Sequence, residues 1–197
     1  AAYSEAPAIT ALGAYGKVEE RLPVAEDVFV SKIDASGGEL AVGTYGGTIN
    51  LFGVTLKKLG IECIWADAEA DEEEIQKLFK PNTKAVFGET IANPALHVLD
   101  IEKFAALAHN NGIPLIVDNT FATPILCRPF EFGADIIVHS TTKYMDGHAV
   151  QMGGVIVDSG KFDWSRYPEK FPGLCTPDES YHGVTYVERF GLAGAFI

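Results

Sequence analysis

The chain has 197 residues, of which 47% are hydrophobic and 21% are charged, and this composition is typical of a packed globular protein rather than a disordered one. The formal net charge of −12 argues against nucleic acid or an anionic membrane as a partner. The 3 cysteines are scattered without metal-ligand spacing and no apolar run approaches the length of a membrane span, so we expect a reduced, cytoplasmic protein.

The amino-terminal quarter is predicted to contain an arm and two helices. Residues 1–24 are rich in Ala, Gly and Pro with weak periodicity, so we interpret them as an amino-terminal arm. Ala25–Asp34 is predicted to be a helix that ends before Ser36-Gly37-Gly38. The glycines of Tyr45-Gly46-Gly47 permit a tight backbone before another helix, which is predicted to run through about Leu59.

The middle of the chain alternates between predicted strands and helices. The strands are Gly60–Trp65, Lys84–Glu89, the run ending at Asp118, the run beginning at Ile136 and Gly154–Val157; the helices are Glu72 to about Phe79 and Asp100–His109. After Asp158, aromatic residues and prolines predict a loop region that packs against the rest, and Glu188–Ile197 is predicted to begin a helix. Alternation without hairpin signals predicts an α/β fold with a mainly parallel sheet flanked by helices.

Two side chains near predicted strand ends suggest chemistry. Lys143 follows the run Ile136–Val138, and we expect it to be partly desolvated there, which favours a neutral, nucleophilic amine. Ser140 and Thr142 flank it with hydroxyls suited to phosphate oxygens. Taken alone, Lys143 is also compatible with an ordinary surface lysine. Asp118 is predicted at the carboxyl edge of a buried parallel strand, where α/β sheets bind ligands.

A carboxylate in that position needs a cationic partner. The pyridinium nitrogen of pyridoxal phosphate is such a partner, and a lysine imine together with an aspartate on that nitrogen is the pairing that this cofactor requires. Lys143 and Asp118 are therefore candidates for that pair.

Longer segments around these residues resemble a known signature. Val117–Pro124, Gly133–Tyr144, Gly147-His148 and Gly153-Gly154 are similar to the pyridoxal-phosphate enzymes of cysteine and methionine metabolism. The resemblance extends roughly from Gly43 to the end of the sequence. Cys127-Arg128-Pro129, Lys161–Trp164 and Ser180–Gly183 resemble most the O-acetylhomoserine sulfhydrylases of that family.

The resemblance implies a domain assignment. Residues 25–197 would form the large domain of the fold type I pyridoxal-phosphate transferases, and the family's carboxyl-terminal substrate domain, whose arginine holds the substrate carboxylate, has no counterpart in this sequence. Relatives also assemble into homo-oligomers, so a dimer or tetramer is expected. No metal is expected.

The resemblance also implies residue roles. Three residues would have catalytic roles: Lys143 as the Schiff-base lysine and proton carrier, Asp118 at the pyridine nitrogen, and Tyr45, which would stack on the ring. Four more would bind the cofactor. Asn93 would bond the phenolic oxygen, Ser140 and Thr142 would bond the phosphate, and Thr120 would also contact the cofactor.

Some positions stay open at this point. Ser36-Gly37-Gly38 is a candidate source of phosphate-binding amides, and a plain turn is an equal alternative. Glu89 lies at a predicted strand end without an assigned role. We interpret His139 and His148, which flank the lysine, as structural histidines with satisfied hydrogen bonds.

The activity implied by the resemblance is γ-replacement, in which O-acetylhomoserine and sulfide give homocysteine and acetate, a step of methionine biosynthesis. Two alternatives remain. One is a cystathionine γ-synthase or a cystathionine or methionine γ-lyase, since the shared residues serve the cofactor rather than the substrate. The other is a truncated, inactive chain that binds the cofactor or acts in assembly.

Overall fold

The computed structural model describes residues 26–32, 46–93, 96–148 and 150–196, and within them it places six strands in one sheet. The strands are β1 (Glu26–Lys32), β2 (Ile61–Asp67), β3 (Thr83–Glu89), β4 (Leu115–Asp118), β5 (Ile136–Ser140) and β6 (Gly154–Asp158). Their spatial order is β2-β1-β3-β4-β5-β6. All neighbouring pairs are parallel except β5 with β6. The predicted mainly parallel α/β sheet is confirmed.

Helices connect most of the strands. They are α1 (Gly46–Asn50), which continues through a π-helical turn (Leu51–Thr55) into α2 (Leu56–Lys58), then α3 (Glu72–Gln76), α4 (Ile101–Asn110), α5 (Thr123–Leu126), α6 (Pro172–Cys175) and α7 (Tyr186–Phe190). The predicted helices before Leu59, after Glu72 and after Asp100 are confirmed. None of the helices in the described ranges is long and apolar enough to cross a membrane.

The largest core lies between α4 and one face of the sheet. The Asp100 carboxylate caps α4 by accepting a hydrogen bond from the Lys103 N–H at 3.0 Å. Buried side chains then recur at helical spacing, at Ile101, Phe104, Ala105, Leu107 and Ala108. They pack with Val86, Leu115 and Val117 of the central strands. This burial fixes the position of β3 and β4.

The opposite face of the sheet carries a smaller core. Phe52, in the π-helical turn, packs on Phe87 with ring centroids 4.8 Å apart, and Ile116 and Val138 lie partly buried beside them. Because strand side chains alternate between faces, residues two positions further along these strands continue the same face. Those residues are Glu89, Asp118 and Ser140, which end β3, β4 and β5.

The aromatic residues after β6 pack together as predicted. Phe162 and Trp164 are buried and meet edge to face with centroids 4.8 Å apart. Both pack against Ile136, the first residue of β5. The indole N–H of Trp164 donates to the Leu192 carbonyl at 2.8 Å. This segment therefore closes the end of the sheet that lies away from the carboxyl ends of the parallel strands.

The prediction of a helix over Ala25–Asp34 is wrong. Most of that segment is β1 (Glu26–Lys32), which pairs in parallel with β2 on one side and β3 on the other. Val28-Phe29-Val30 has the β-branched and aromatic residues that strands favour. Pairing to two strands that come later in the chain outweighs the local helical pattern.

The predicted helix over Glu188–Ile197 is also wrong in its extent. The helix observed there is α7, which begins two residues earlier and ends at Phe190. Gly191 has φ 77°, a left-handed value that stops the helix. A 3₁₀ turn follows at Gly194–Phe196.

Candidate active site

A cavity of about 600 Å³ opens where β3, β4 and β5 end. Small-molecule sites usually have volumes of roughly 300–1,000 Å³, and in parallel sheets they lie outside the carboxyl ends of the strands. Among the described residues its lining comprises Thr48, Glu89, Ile91, Asn93, Asp118, Thr120, Phe121, Ser140, Thr142, Lys143, Tyr144 and Gly147. The cavity thus has the size and the location expected of a ligand site.

The structure brings most of the predicted site residues together. Those that line this cavity are Asn93, Asp118, Thr120, Ser140, Thr142 and Lys143. Residues 1–24, Ser36-Gly37-Gly38 and Tyr45 lie outside the described residues. The predicted grouping therefore rests on six side chains contributed by the ends of three neighbouring strands and the loops that follow them.

Thr120 links the carboxylate of Asp118 to the end of β5. The Thr120 N–H donates to Asp118 Oδ1 at 2.9 Å, and Thr120 Oγ1 accepts a hydrogen bond from the Ser140 N–H at 2.7 Å. Both bonds hold groups that face the cavity. Thr120 therefore orients Asp118 and Ser140, whatever contact it also makes with a ligand.

Lys143 lies in a turn beyond β5. Its N–H donates to the Ser140 carbonyl at 3.2 Å, and its own carbonyl accepts from the Gly147 N–H at 3.3 Å. The residue is exposed, so the prediction of a partly desolvated lysine is wrong for this structure. The reason is geometric, because the turn carries the lysine three positions past the strand to the open mouth of the cavity.

The return of the chain toward β6 is fixed at Thr142. Its hydroxyl oxygen accepts from the Gly153 N–H at 3.0 Å and lies 3.3 Å from the Gly153 carbonyl oxygen. A Cβ atom at position 153 would lie 2.5 Å from Thr141 Oγ1, too close for any side chain without movement. A side chain at position 153 would therefore force the Thr141 hydroxyl to move where the lysine turn and the start of β6 meet.

Several cavity residues were not assigned a role from the sequence. Phe121 and Tyr144 form an edge-to-face pair with centroids 5.5 Å apart and give the cavity an aromatic wall. Glu89 is 7% exposed and is the direct partner of Asp118 across the β3–β4 pair. The position of Glu89 at the end of a predicted strand was the signal that could have found it. The sequence does not show that Glu89 lies beside Asp118, because that depends on the register of β3 against β4.

The interpretation of His139 as a satisfied histidine is wrong for one of its ring nitrogens. The residue is 5% exposed, and its buried Nδ1 has no hydrogen-bond partner among the described residues. Burial lowers the pKa of this imidazole, against the smaller opposing effects of the Asp118 charge and a backbone hydrogen bond at Asn119. His148 is exposed, with Nδ1 3.1 Å from the Asp146 carbonyl oxygen.

The groups around the cavity suit a ligand that is cationic at one end and anionic at another. Asp118 offers a carboxylate to a cation, Ser140 and Thr142 offer hydroxyls to an anion, and Lys143 offers an amine to a carbonyl carbon. Pyridoxal phosphate has these features, namely a pyridinium nitrogen, a phosphate and an aldehyde. The residues that are present fit this cofactor.

Comparison with known families decides the assignment. The sequence profile of the Cys/Met metabolism PLP-dependent enzymes matches residues 25–184. The chain belongs to this family.

Individual members of the family are similar over most of the chain. It is 52% identical over 154 residues to a homocysteine/cysteine synthase of Kluyveromyces lactis, covering 78% of this chain and 34% of that protein. This chain is also 49% identical over 155 residues to an O-acetyl-L-homoserine sulfhydrylase of Corynebacterium glutamicum, and the match covers 75% of this chain and 36% of that protein. The chain therefore spans about a third of the length of these curated relatives.

A solved structure agrees with the family assignment. The putative O-acetylhomoserine (thiol)-lyase of Campylobacter jejuni superposes with a TM-score of 0.73 at 36% identity, covering 83% of this chain and 38% of that protein. That crystal structure contains N'-pyridoxyl-lysine-5'-monophosphate. The shared fold thus holds the cofactor on a lysine in that relative.

Proposed function

We propose that this chain is the cofactor-binding part of an enzyme that replaces the γ-substituent of an amino acid. The reaction is O-acetylhomoserine plus sulfide to homocysteine plus acetate. One observation carries the proposal: Lys143 and Asp118 line the same cavity in a member of a PLP-dependent family. Relatives named homocysteine/cysteine synthase and O-acetyl-L-homoserine sulfhydrylase support this choice of substrates.

The domain assignment is part of the proposal. Residues 25–197 would form the cofactor-binding large domain, and residues 1–24 an arm. The family match over residues 25–184 supports the first part. The continuous sheet from β1 to β6 supports it as well, because one sheet with cores on both faces is a single folding unit.

Asp118 and Lys143 would hold the two reactive ends of the cofactor. The Asp118 carboxylate, held at Oδ1 by the Thr120 N–H, would accept a hydrogen bond from the protonated ring nitrogen. The Lys143 amine would bind the aldehyde carbon. When substrate takes its place on the cofactor, the same amine would move protons between substrate carbons.

The remaining cavity residues would position the cofactor. Ser140 and Thr142 would donate their hydroxyls to the phosphate, and Thr142 would turn its hydroxyl away from the Gly153 carbonyl to do so. Asn93 would donate to the phenolic oxygen, and Tyr45 would stack on the ring. The bound cofactor supplies a ring that withdraws electrons from the substrate carbons next to the amino group.

We also propose a cytoplasmic homo-oligomer. Large apolar side chains are exposed near the carboxyl edge of the sheet, including Ile125 at 89%, Leu126 at 78% and Met152 at 94%. Exposed apolar side chains that form a contiguous patch mark a surface for another protein chain, and a second copy of this chain is the partner that we propose. The cytoplasmic location is supported by Cys127 and Cys175, neither of which forms a disulfide within the part of the chain that the structure describes. Sedimentation of the purified protein measures the size of the assembly.

The absorption spectrum of the purified protein with pyridoxal phosphate tests the cofactor assignment. The wild-type protein should show a band near the visible edge that Lys143→Ala abolishes and that Lys161→Ala, a change at an exposed lysine of the loop after β6, retains. If the wild type lacks the band, the chain does not bind the cofactor through a lysine, and the inactive alternative gains support.

Product analysis tests the reaction. With O-acetylhomoserine and sulfide we expect homocysteine and acetate in equal amounts, and little 2-oxobutyrate when sulfide is omitted. Release of 2-oxobutyrate at a similar rate without sulfide would instead indicate a γ-lyase. Formation of cystathionine from cysteine as the favoured product would indicate a cystathionine γ-synthase.

A further inference from the structure

The residue directly after Asp118 is a buried asparagine whose side chain makes a hydrogen bond at each end of its carboxamide. Asn119 is 0% exposed. Its Oδ1 accepts a hydrogen bond from Thr90 Oγ1 at 2.8 Å, and its Nδ2 donates to the Cys127 carbonyl at 2.9 Å. A carbonyl can only accept, so the amide nitrogen must face Cys127 and the oxygen must face Thr90. The network therefore allows one orientation of the carboxamide.

The backbone of Asn119 is held as firmly as its side chain. Its N–H donates to the Val138 carbonyl of β5 at 3.0 Å, and its carbonyl accepts from the Thr123 N–H at 2.9 Å. The Thr90 N–H donates to the carbonyl of Asp118 at 3.0 Å. Asn119 is thus tied to β5, to the segment after β3 and to the loop around Cys127, and these ties enclose the peptide that carries Asp118.

Asn119 does not line the cavity, whereas the residues on both sides of it do. Asp118 precedes it and Thr120 follows it, and the Thr120 N–H is the group that holds Asp118 Oδ1. The direction of that N–H depends on the peptide between residues 119 and 120. A rotation at Asn119 would therefore turn the Thr120 N–H away from the carboxylate without removing any group from the cavity.

We propose that Asn119 is a positioning residue that orients the Asp118 carboxylate from behind the cavity through the Thr90–Asn119–Cys127 hydrogen bonds. The expected effect of Asn119 on cofactor binding rests on the function proposed above, because that function places the ring nitrogen of the cofactor on Asp118. The orientation of the carboxylate itself does not depend on the cofactor. The proposal therefore makes a prediction for the cofactor-free protein as well.

Two threonines provide a matched pair of variants. Thr90→Val removes the hydroxyl that Asn119 Oδ1 accepts from, while the Thr90 N–H stays in place. Thr83→Val removes a hydroxyl at the other end of β3, where Thr83 is 1% exposed and its Oγ1 accepts from the Lys80 N–H at 2.9 Å. Both remove one buried hydroxyl with one hydrogen bond, but only the first touches Asn119. Asn119→Ala removes the whole carboxamide.

The first measurement is amide hydrogen exchange of the Thr120 N–H in the cofactor-free protein, at equal global stability set by temperature or urea. Asn119→Ala and Thr90→Val should accelerate this exchange by about tenfold or more, and Thr83→Val should not. Unchanged Thr120 exchange in both site variants would overturn the proposal. If Asn119→Ala does not fold, Thr90→Val alone decides the outcome.

The second measurement is pyridoxal phosphate binding and the pH midpoint of its absorption band. Removing a hydrogen-bond partner behind a metal ligand weakens metal affinity by about 10–100-fold. We expect a loss of similar size in pyridoxal phosphate affinity, with a shifted midpoint, in Asn119→Ala and wild-type behaviour in Thr83→Val. If Asn119→Ala bound pyridoxal phosphate with the same affinity and the same pH midpoint as Thr83→Val and the wild type, Asn119 would be a merely structural residue and the proposal would be overturned. Failure of wild type to bind the cofactor would overturn the proposed function, while Thr120 exchange would still decide the role of Asn119.

Discussion

Glu89 and Asp118 are direct partners across the parallel β3–β4 pair, so two carboxylates reach the cavity side by side. The Asp118 carboxylate is bonded by the Thr120 N–H, which aims it into the cavity. Two acidic side chains at the ends of neighbouring strands create a strongly cation-favouring site. This relationship makes Asp118 the first position to test.

We expect Asp118→Asn to retain part of the cofactor and to lose most turnover. A neutral amide cannot stabilise a protonated ring nitrogen as a carboxylate does, while Lys143, Ser140 and Thr142, the other residues that we propose to bind the cofactor, are unchanged. The expected loss in kcat is about 100-fold or more, the size seen when one preorganised electrostatic group is removed. Steady-state kinetics with O-acetylhomoserine and sulfide measures it.

The control for this substitution is Asp100→Asn at the start of α4. That side chain caps the helix by accepting from the Lys103 N–H, and asparagine caps helices equally well. Its turnover should equal that of the wild type. Full activity in Asp118→Asn would remove Asp118 from the proposed mechanism.

The lysine turn offers a second test, at Gly153. Because a Cβ atom there would lie 2.5 Å from Thr141 Oγ1, Gly153→Ala should push the turn and disturb the hydrogen bonds of Thr142. We expect a loss of about 1–3 kcal/mol in the free energy of unfolding, typical of overpacking, and weaker cofactor binding. Urea titration and the absorption band measure the two effects.

A second substitution shows whether the clash is the cause. Thr141→Ala removes the oxygen that the new methyl group would meet, so the Gly153→Ala, Thr141→Ala double variant should recover most of the stability lost by Gly153→Ala alone. Strictly additive losses would show that the methyl group acts elsewhere.

The sequence predicted the parts of this structure that depend on local pattern. The apolar runs before Asp118 and Ser140 indicated buried strands, and the spacing of Ile101, Phe104 and Ala108 indicated α4. Because parallel strands end at the same edge, the grouping of Asp118 with the lysine segment followed from those strands.

The parts that the sequence did not predict depend on contacts between distant positions. β1 has a local pattern compatible with a helix and becomes a strand because β2 and β3 pair with it. The exposure of Lys143 depends on how far its turn projects beyond β5. The network of Asn119 joins Thr90 and Cys127, which lie 29 and 8 positions away in the chain.

His109 and Asp135, another pair of residues that lie far apart in the chain, should make the stability of the protein depend on pH. Nε2 of His109, in the last turn of α4, lies 2.8 Å from Oδ2 of the buried Asp135, which also accepts from the Leu115 N–H at 2.8 Å. The hydrogen bond to Asp135 raises the pKa of His109 above its ordinary value of 6.5, against partial burial, and the Asp135 charge adds to the rise.

The sign follows from the direction of that shift. Since the folded state binds the proton more tightly than the unfolded state, the stabilisation by His109 is fully present below about pH 6.5 and is lost as the pH rises through the raised pKa. His109→Gln should therefore lower the urea midpoint more at about pH 5 than at about pH 8. His148→Gln, the same substitution at an exposed histidine outside α4, is measured alongside it as the control. An equal effect of His109→Gln at both pH values would contradict the prediction.

His139 should give the opposite pH dependence. Burial lowers the pKa of His139 below 6.5, with smaller opposing effects from the Asp118 charge and a backbone hydrogen bond at Asn119. The unfolded state then binds the proton more tightly, so stability is lost as the pH falls from about 6.5 toward the lowered pKa. His139→Leu should remove this acid sensitivity. The buried Nδ1 has no partner among the described residues, so the substitution loses only the backbone hydrogen bond at Asn119 and should cost about 1–3 kcal/mol at neutral pH.

Urea midpoints of the wild type and His139→Leu across the acid range measure this contribution, with His109→Gln as the comparison of opposite sign. The two histidines change the stability of the folded state in different pH windows, so their effects can be separated. Stability from His109 is lost as the pH rises above about 6.5, and stability is lost through His139 as the pH falls below about 6.5. If His139→Leu kept the full acid sensitivity of the wild type, the buried His139 imidazole would not be the source of the stability lost at low pH, and the prediction would be wrong.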